Sequence, residues 1–426
     1  MSEIDLKKFG RTREFKKSGY KRVAVLFSGG PAPGANAVIA SATLKLLNSG
    51  YDVIGMYRGY ENLMNFDKLR HSATMREDEH YVNLTYDKVT RIRHLGGSII
   101  GTSRANPARI ANKQIKKFED FANPDMTQHF EKVLDALEYL HIDSLISIGG
   151  DDTLKTAYYM SLLGVPVVHV PKTIDNDYYG IAWTFGYFSA IERARQDLII
   201  FNEETKTTQC YFVLEMMGRK AGWYTMGAGI AGSATKIIIP EEIKGTYDID
   251  KSAAECVDII LQREKMGKRH GLILISEGLA DLLSNDKKKA LAKTVDEHGN
   301  IKLSDLKIGE QLAIAIKAQY LQKTGKKLNL KNDNIGYTTR VIQPTAFDVL
   351  LASQLGMGAA RFITKEQVSR MVSVGEELRI SHIPFNELID KKTLKVRQRF
   401  VDLNSDFYDL GRSLQFESHF MGSSED

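Results

Sequence analysis

The chain has very little cysteine: Cys210 and Cys256 are the only two among 426 residues. Both lie in apolar surroundings and read as buried thiols. Two such residues make neither a disulfide framework nor a zinc site, which points to a reducing compartment. Long hydrophobic runs are also missing. No stretch approaches the roughly 18 residues that a membrane span requires. The N-terminal MSEIDLKKFG is charged from its third residue and lacks the apolar core of a secretory leader. The expectation is a cytoplasmic protein with no membrane partner. A large excess of one charge is absent too. The net charge is +5, with basic and acidic residues interspersed. Nucleic-acid binding would need a clustered basic face, and none exists outside the N-terminus. No internal repeat and no low-complexity tract is found. No G-x-G-x-x-G follows the first apolar run, which argues against a dehydrogenase.

What is present is enough chain for two or three cores, at an ordinary globular composition of 43% hydrophobic residues. Residues 1–20 are polar and basic (Lys7, Lys8, Arg11, Arg13, Lys16 and Lys17) and read as a solvated extension. From Val23 the pattern changes to short apolar runs ending in glycine or charge. Val23–Phe27, Asp52–Tyr57, Ser144–Ile148, Val165–Val170, Tyr211–Leu214, Lys236–Ile239 and Leu272–Ile275 are of this kind. Continuous β-branched runs suit parallel strands covered on both faces. Between them lie helical periodicities, such as Val38, Ile39, Ala42 and Leu46, or Val133, Leu134, Leu137 and Leu140. The alternation predicts two α/β layers with mainly parallel sheets. Residues 281–310, rich in Lys and Asp with a His298-Gly299-Asn300 turn, read as a surface excursion.

Several strand ends carry chemistry. Ser28-Gly29-Gly30-Pro31-Ala32-Pro33-Gly34 stands between a strand and a helix. It is either a phosphate cradle, with backbone N–H groups and a helix dipole facing an anion, or a tight strand–helix turn. Gly149-Gly150-Asp151-Asp152-Thr153 offers a carboxylate for magnesium, or an N-cap by Asp152 or Thr153 for a helix at 154–163. Pro171-Lys172-Thr173-Ile174-Asp175-Asn176-Asp177 places two carboxylates and a lysine together, suited to proton abstraction beside a charged substrate, or forms an Asp/Asn-rich turn. Met217-Gly218-Arg219 offers close backbone approach and a guanidinium fork, or is a surface turn. Ser276-Glu277-Gly278 and Gly336-Tyr337-Thr338-Thr339-Arg340 complete the series. Singly, each is weak. Together they gather glycines, carboxylates and cations at the ends of at least five predicted strands, as a cleft for phosphates and a hydroxylated ligand would.

As an ordered set, GGPAPG, GGDDT, PKTIDND, MGRKAGW, EG and GYTTR resemble the phosphofructokinase family over about residues 21–365. The resemblance implies two Rossmann-like domains with the active site in the cleft between them. Residues 1–20 would extend a donor domain of 21–186 plus 339–389, and 187–338 plus 390–426 would form the sugar-phosphate domain. It implies phosphoryl transfer to the 1-hydroxyl of fructose 6-phosphate, with Mg2+ held by Asp151. Asp175 would be the base, with Thr173 and Asp177 orienting the hydroxyl and the metal shell. Gly29 and Gly30 would meet donor phosphates through backbone N–H groups, and Arg104 the transferring phosphoryl. Met217, Gly218, Arg219 and Glu277 would hold the sugar, and Tyr337 and Arg340 the 6-phosphate. Family arginines that reach the 6-phosphate from a neighbouring subunit align here with Cys210 and Lys331. Lys331 can still pair with phosphate, and a homodimer or homotetramer is expected.

The donor is read from two positions. ATP-using relatives usually carry GGDG and often PGTIDND, where this chain has Asp152 and Lys172. Asp152 adds bulk and like charge where an ATP α-phosphate would lie. Lys172 adds a cation for the terminal phosphate of a short donor. Both favour inorganic pyrophosphate, and with it a reaction that runs in glycolysis and in gluconeogenesis. ATP-dependent 6-phosphofructokinase is the nearest alternative. A catalytically inactive sugar-phosphate-binding regulator is another, although Asp151, Asp175 and Arg219 are all present. An NAD-kinase-like enzyme would leave TIDND, MGR and GYTTR unexplained.

Overall fold

The computed structural model describes residues 6–9, 13–110, 113–292 and 303–416. The chain forms two compact units, neither of them continuous. The first comprises Met1–Ile174, Tyr178–Ser189 and Arg340–Gln398; the second comprises Asp175–Asp177, Ala190–Thr339 and Arg399–Asp426. Residues 390–398, expected in the sugar-phosphate domain, cluster with the first unit.

The first unit is built on a seven-stranded sheet. Its order is Ile380–Pro384, Arg370–Val374, Val167–Pro171, Ser144–Gly149, Arg22–Phe27, Asp52–Met56, Tyr81–Asn83. The five inner strands are parallel, and the two edge strands run antiparallel. Every residue of SLISIG and VVHVP is buried, as strands covered on both faces require. Helix Ala35–Leu47 buries the predicted face of Val38, Ile39, Ala42 and Leu46. It also buries Ala35, Ala37 and Ala40, because helix Ala346–Thr364 lies along it. Gly356 permits that approach: a Cβ there would stand 2.3 Å from the Val38 carbonyl oxygen.

Ala346–Thr364 is the one helix, among the described residues, long and apolar enough by composition to cross a membrane. The sequence reading overlooked it because Asp348 and Arg361 interrupt the apolar run. Here it is a core helix, burying Leu351, Ala352, Leu355, Ala359 and Phe362. The fully buried Asp348 carboxylate accepts from the N–H groups of Gly186 (2.9 Å) and Ser189 (2.7 Å), at the start of helix Tyr187–Thr208.

The described part of the basic N-terminal extension is docked rather than solvated, while Arg11 lies outside the described residues. Arg13 donates to Glu131 (2.8 Å), Asp135 (2.6 Å) and Glu138 (3.2 Å) on helix Pro124–Tyr139, and Leu6 and Phe15 are buried.

The second unit has a parallel sheet ordered Leu330–Ile335, Tyr211–Met216, Gly271–Ser276, Lys236–Ile238. One side packs Val213, Ile273 and Ile275 against Cys256 and Ile260 of helix Ile249–Lys265 and Leu312 and Ile316 of helix Ile308–Thr324. Both cysteines are buried, and burial pushes the Cys256 thiol up to about 12, so it is unreactive at neutral pH. Within the expected surface excursion, Asn285–Leu291 is a short helix; the His298-Gly299-Asn300 turn lies outside the described residues.

Candidate functional site

Three neighbouring strands of the first unit, Val167–Pro171, Ser144–Gly149 and Arg22–Phe27, end on one edge of the sheet and release the three expected loops there. In open α/β sheets this carboxyl edge is where ligands sit. The glycine loop turns at Gly29, whose φ of 88° excludes most other residues. Its N–H, expected to meet a donor phosphate, instead donates to the Ser103 carbonyl at 2.8 Å. Thr102 Oγ1 donates back to the Gly29 carbonyl at 2.7 Å. This lacing brings the exposed Arg104 to the loop. Lys172 is buried, with Nζ donating to the Gly30 carbonyl and lying 5.7 Å from the Phe27 ring centre. Arg340 belongs to this unit as well: Nη1 would be 3.6 Å from a Cβ on Gly30.

The next loop starts its helix earlier than expected. Gly150 is the N-cap and the helix runs Asp151–Leu162, so Asp152 and Thr153 are helical residues rather than caps. Two carboxylates in the first turn are favoured by the helix dipole. Asp152 is exposed and pairs with Arg109 Nη2 at 3.2 Å. Asp151 accepts from Gln398 Nε2 at 2.8 Å. Among the described residues no cluster of three or more His, Cys, Asp or Glu side chains could hold a metal. Magnesium does not need one, because it commonly takes one or two carboxylates and completes its shell with substrate phosphates and water. Asp151, oriented by an amide, fits such an ion.

In the third loop, Thr173 stays with the first unit and its carbonyl accepts from Thr184 Oγ1 at 2.8 Å. Tyr178, just past the Asp-rich triplet, donates from its hydroxyl to the Gly149 carbonyl at 2.9 Å and meets His169 Nε2 at 3.2 Å. His169 is fully buried, and that burial drives its pKa down to about 3, so it is neutral.

Asp175, Asn176 and Asp177 cluster with the second unit. Its strands Leu330–Ile335, Tyr211–Met216 and Gly271–Ser276 end in register, with Ile335 and Ser276 both opposite Met216. Met217, Glu277 and Gly336 therefore emerge at one level, with Tyr337 one residue further on. Met217 N–H donates to the Ile335 carbonyl at 3.1 Å, and Gly218 N–H to Glu277 Oε2 at 3.4 Å. A Cβ on Gly218 would lie 4.0 Å from Asp175 Oδ1, so the expected base faces the expected sugar loop. Arg219 and Tyr337 are exposed on the same edge. Behind them, Glu215 accepts from Gly309 N–H at 2.9 Å, and burial raises its pKa to about 7.

Lys331 does not join this group. It pairs with Phe212, at the opening end of the neighbouring strand, and its Nζ is held by Glu204 at 3.0 Å. Five residues of strand, about 16 Å, separate it from Gly336. Cys210 is fully buried, with Thr208 Oγ1 donating to its sulfur at 3.0 Å, and offers nothing to an anion. Sequence reasoning missed Arg109, Glu215, Gln398 and Arg399. Each is a single polar residue outside any glycine-rich or Asp-rich motif, so only the fold gives it a partner.

Comparison with known proteins fits this geometry. The phosphofructokinase family model matches residues 22–363. The chain is 32% identical over 404 residues to the pyrophosphate–fructose 6-phosphate 1-phosphotransferase of Thermotoga maritima, covering 92% of this chain and 90% of that one. It is also 32% identical over 357 residues to ATP-dependent 6-phosphofructokinase 2 of Clostridium perfringens, covering 83% and 88%. Among solved structures, the phosphofructokinase of Saccharomyces cerevisiae superposes with a TM-score of 0.65 at 23% identity, over 86% of this chain and 45% of the yeast chain. This chain thus spans a little under half the length of that one. With the fold, the ordered loops and a match over most of its length in agreement, the chain belongs to the phosphofructokinase family.

Proposed function

We propose that the chain transfers a phosphoryl group from inorganic pyrophosphate to the 1-hydroxyl of fructose 6-phosphate, giving fructose 1,6-bisphosphate and phosphate. The observation that carries the choice of donor is the pair of charges on the donor loops. Asp152 projects from the first turn of its helix beside Arg109, and Lys172 is buried against Gly30. A nucleotide would have to run its α-phosphate past Asp152. A pyrophosphate ends before it and has a cation at hand.

The chemistry is mostly alignment and neutralisation. Asp175 accepts the proton of the attacking 1-hydroxyl, while Thr173 and Asp177 orient that hydroxyl. Arg104, Lys172 and Arg219 face the charge that develops on the transferring group. Gly30 lines the donor loop; Gly29 supplies the turn, since its N–H is committed to Ser103. Met217, Gly218 and Glu277 hold the sugar, and Tyr337 and Arg340 take the 6-phosphate. Asp151, with the donor's own oxygens, would hold Mg2+. When bound, the ion neutralises donor charge and stabilises the leaving phosphate. Because pyrophosphate is a weaker phosphoryl donor than ATP in the cell, the reaction runs both ways. Lys331 cannot reach the sugar loops of its own unit, which supports a 6-phosphate grip completed in a homodimer or homotetramer.

ATP as donor is the second reading, supported by the ATP-dependent relative of equal identity and by Arg109, which offsets part of the Asp152 charge. A coupled assay with fructose 6-phosphate, magnesium and either donor separates the two. Clear preference for ATP would sink the pyrophosphate reading, and no turnover with either donor would sink both.

A further inference from the structure

Residues 398–401 lie beyond residue 363, where the family match ends. One of them, Arg399, nevertheless touches the segment that carries the expected base. Asn176 is fully buried with φ at 53°, a left-handed turn conformation that asparagine adopts more readily than most residues with a Cβ. Arg399 anchors this turn. Its Nη2 and Nε donate to the Asn176 carbonyl at 3.0 and 3.3 Å, and its own N–H donates to the Asp177 carbonyl at 2.8 Å. The two successive peptide groups Asn176–Asp177 and Asp177–Tyr178, which begin one residue after Asp175, are thereby fixed by one residue.

Arg399 is itself held on every side. Its guanidinium lies 4.5 Å from the ring centre of Trp223, and Trp223 Nε1 donates back to the Arg399 carbonyl at 3.2 Å. Trp223 stacks on Phe407, with ring centres 5.2 Å apart, and is the first helical residue after the Met217–Arg219 loop. Two residues on, Val401 N–H donates to Glu241 Oε1 at 2.9 Å, and the same carboxylate accepts from Gly222 N–H at 2.9 and 3.0 Å. The strap is thus tied at one end to the base-bearing triplet and at two points to the segment that follows the sugar loop.

We infer that Arg399 is a positioning residue for the phosphoryl transfer: it fixes the Asp175–Asp177 turn so that the Asp175 carboxylate meets the acceptor hydroxyl. A lysine could keep the charge but not the two-pronged hold on one carbonyl, because its donors are not in a planar fork. Misplacement of a reacting group by about 1 Å costs on the order of 10²-fold in rate. This inference rests on the reading of Asp175 as base.

The test is kinetic, on the full chain, with Arg399→Met, Arg399→Lys, Arg399→Ala and Asp175→Asn beside wild type. In Arg399→Met, kcat should fall about 10²-fold while the KM for fructose 6-phosphate moves no more than about threefold. Arg399→Lys should recover only part of the loss. Added guanidinium ion, at concentrations that leave wild type unchanged, should restore part of the rate of Arg399→Ala. A folded Arg399→Met with kcat within about threefold of wild type overturns the assignment. So does a rate loss that follows the loss of folded protein in thermal melts and is not rescued by guanidinium. Should wild type be active and Asp175→Asn inactive while Arg399→Met is normal, only the Arg399 assignment fails. Should wild type, or Asp175→Asn at full rate, contradict the base assignment, the underlying reading fails and this one with it.

Discussion

Replacing Asp152 with glycine tests the donor reading most directly, and the structure sets its size. Asp152 is the second residue of helix Asp151–Leu162, with 59% of its side chain exposed, beside Arg109 with 55% exposed. Losing so exposed a pair costs about 0.2–1 kcal/mol. Losing a first-turn carboxylate costs about 0.3–1 kcal/mol, and glycine in a helix adds roughly 0.5 kcal/mol. The variant should therefore melt about 2–6 °C lower and stay folded. Were an ATP α-phosphate to pass about 6 Å from Asp152, repulsion at an effective dielectric of about 40–80 would come to about 1 kcal/mol. Arg109 already offsets part of that. Relief of charge and bulk together should raise kcat/KM for ATP about 5–10-fold, with pyrophosphate use held or lowered. Arg109→Ala leaves the Asp152 charge without this partner and should move ATP use the opposite way. Both are read in a coupled NADH assay at two salt concentrations, the effect shrinking at the higher one. ATP use unchanged within about twofold in a folded Asp152→Gly would refute the reasoning.

Lys172→Gly should lower kcat with pyrophosphate by roughly 10²-fold, since a dry cation beside the donor loop is lost; a normal pyrophosphate kcat would remove Lys172 from the chemistry. Arg340→Ala should raise the KM for fructose 6-phosphate more than that for the donor. Because Arg340 lies beside Gly30, the reverse ratio would assign it to the donor loop instead. Glu215 gives a pH signature. Burial holds its pKa near 7, so on raising pH the unfolded chain gives up this proton first, and stability falls from about pH 4.5 to 7. Glu215→Gln should flatten that fall in urea unfolding at pH 5 and pH 8; an unchanged slope would place the titration elsewhere.

The loops were legible because each joins an apolar β-branched run to glycine and charge, a pattern that needs no tertiary knowledge. Strand Leu330–Ile335 was not, since LKNDNI buries only its two ends and is identified as a strand solely by pairing with Tyr211–Met216. Strands Arg370–Val374 and Ile380–Pro384 were missed for a related reason, as they follow the last motif and carry none. The N-cap assignment to Asp152 or Thr153 failed because Gly150, in extended conformation, starts the helix without any side-chain cap. Gly29 N–H looked available because its acceptor, Ser103, is far along the chain. Partners at long sequence separation, Arg109 with Asp152 and Gln398 with Asp151, leave no local trace.

The interrupted chain path of the first unit sets a timetable for synthesis. Strand Val167–Pro171 leaves the ribosome about 200 residues before Arg370–Val374, the strand that pairs with its outer edge. At 5–20 residues per second that interval is roughly 10–40 s. Helix Ala346–Thr364, which covers Ala35–Leu47, follows it about 300 residues later, roughly 15–60 s at the same rate. Over these intervals an apolar strand edge and an apolar helix face stand open, the kind of surface that aggregates. Codon usage that lengthens the interval should lower the soluble yield, and the second unit's sheet can close while the first still waits.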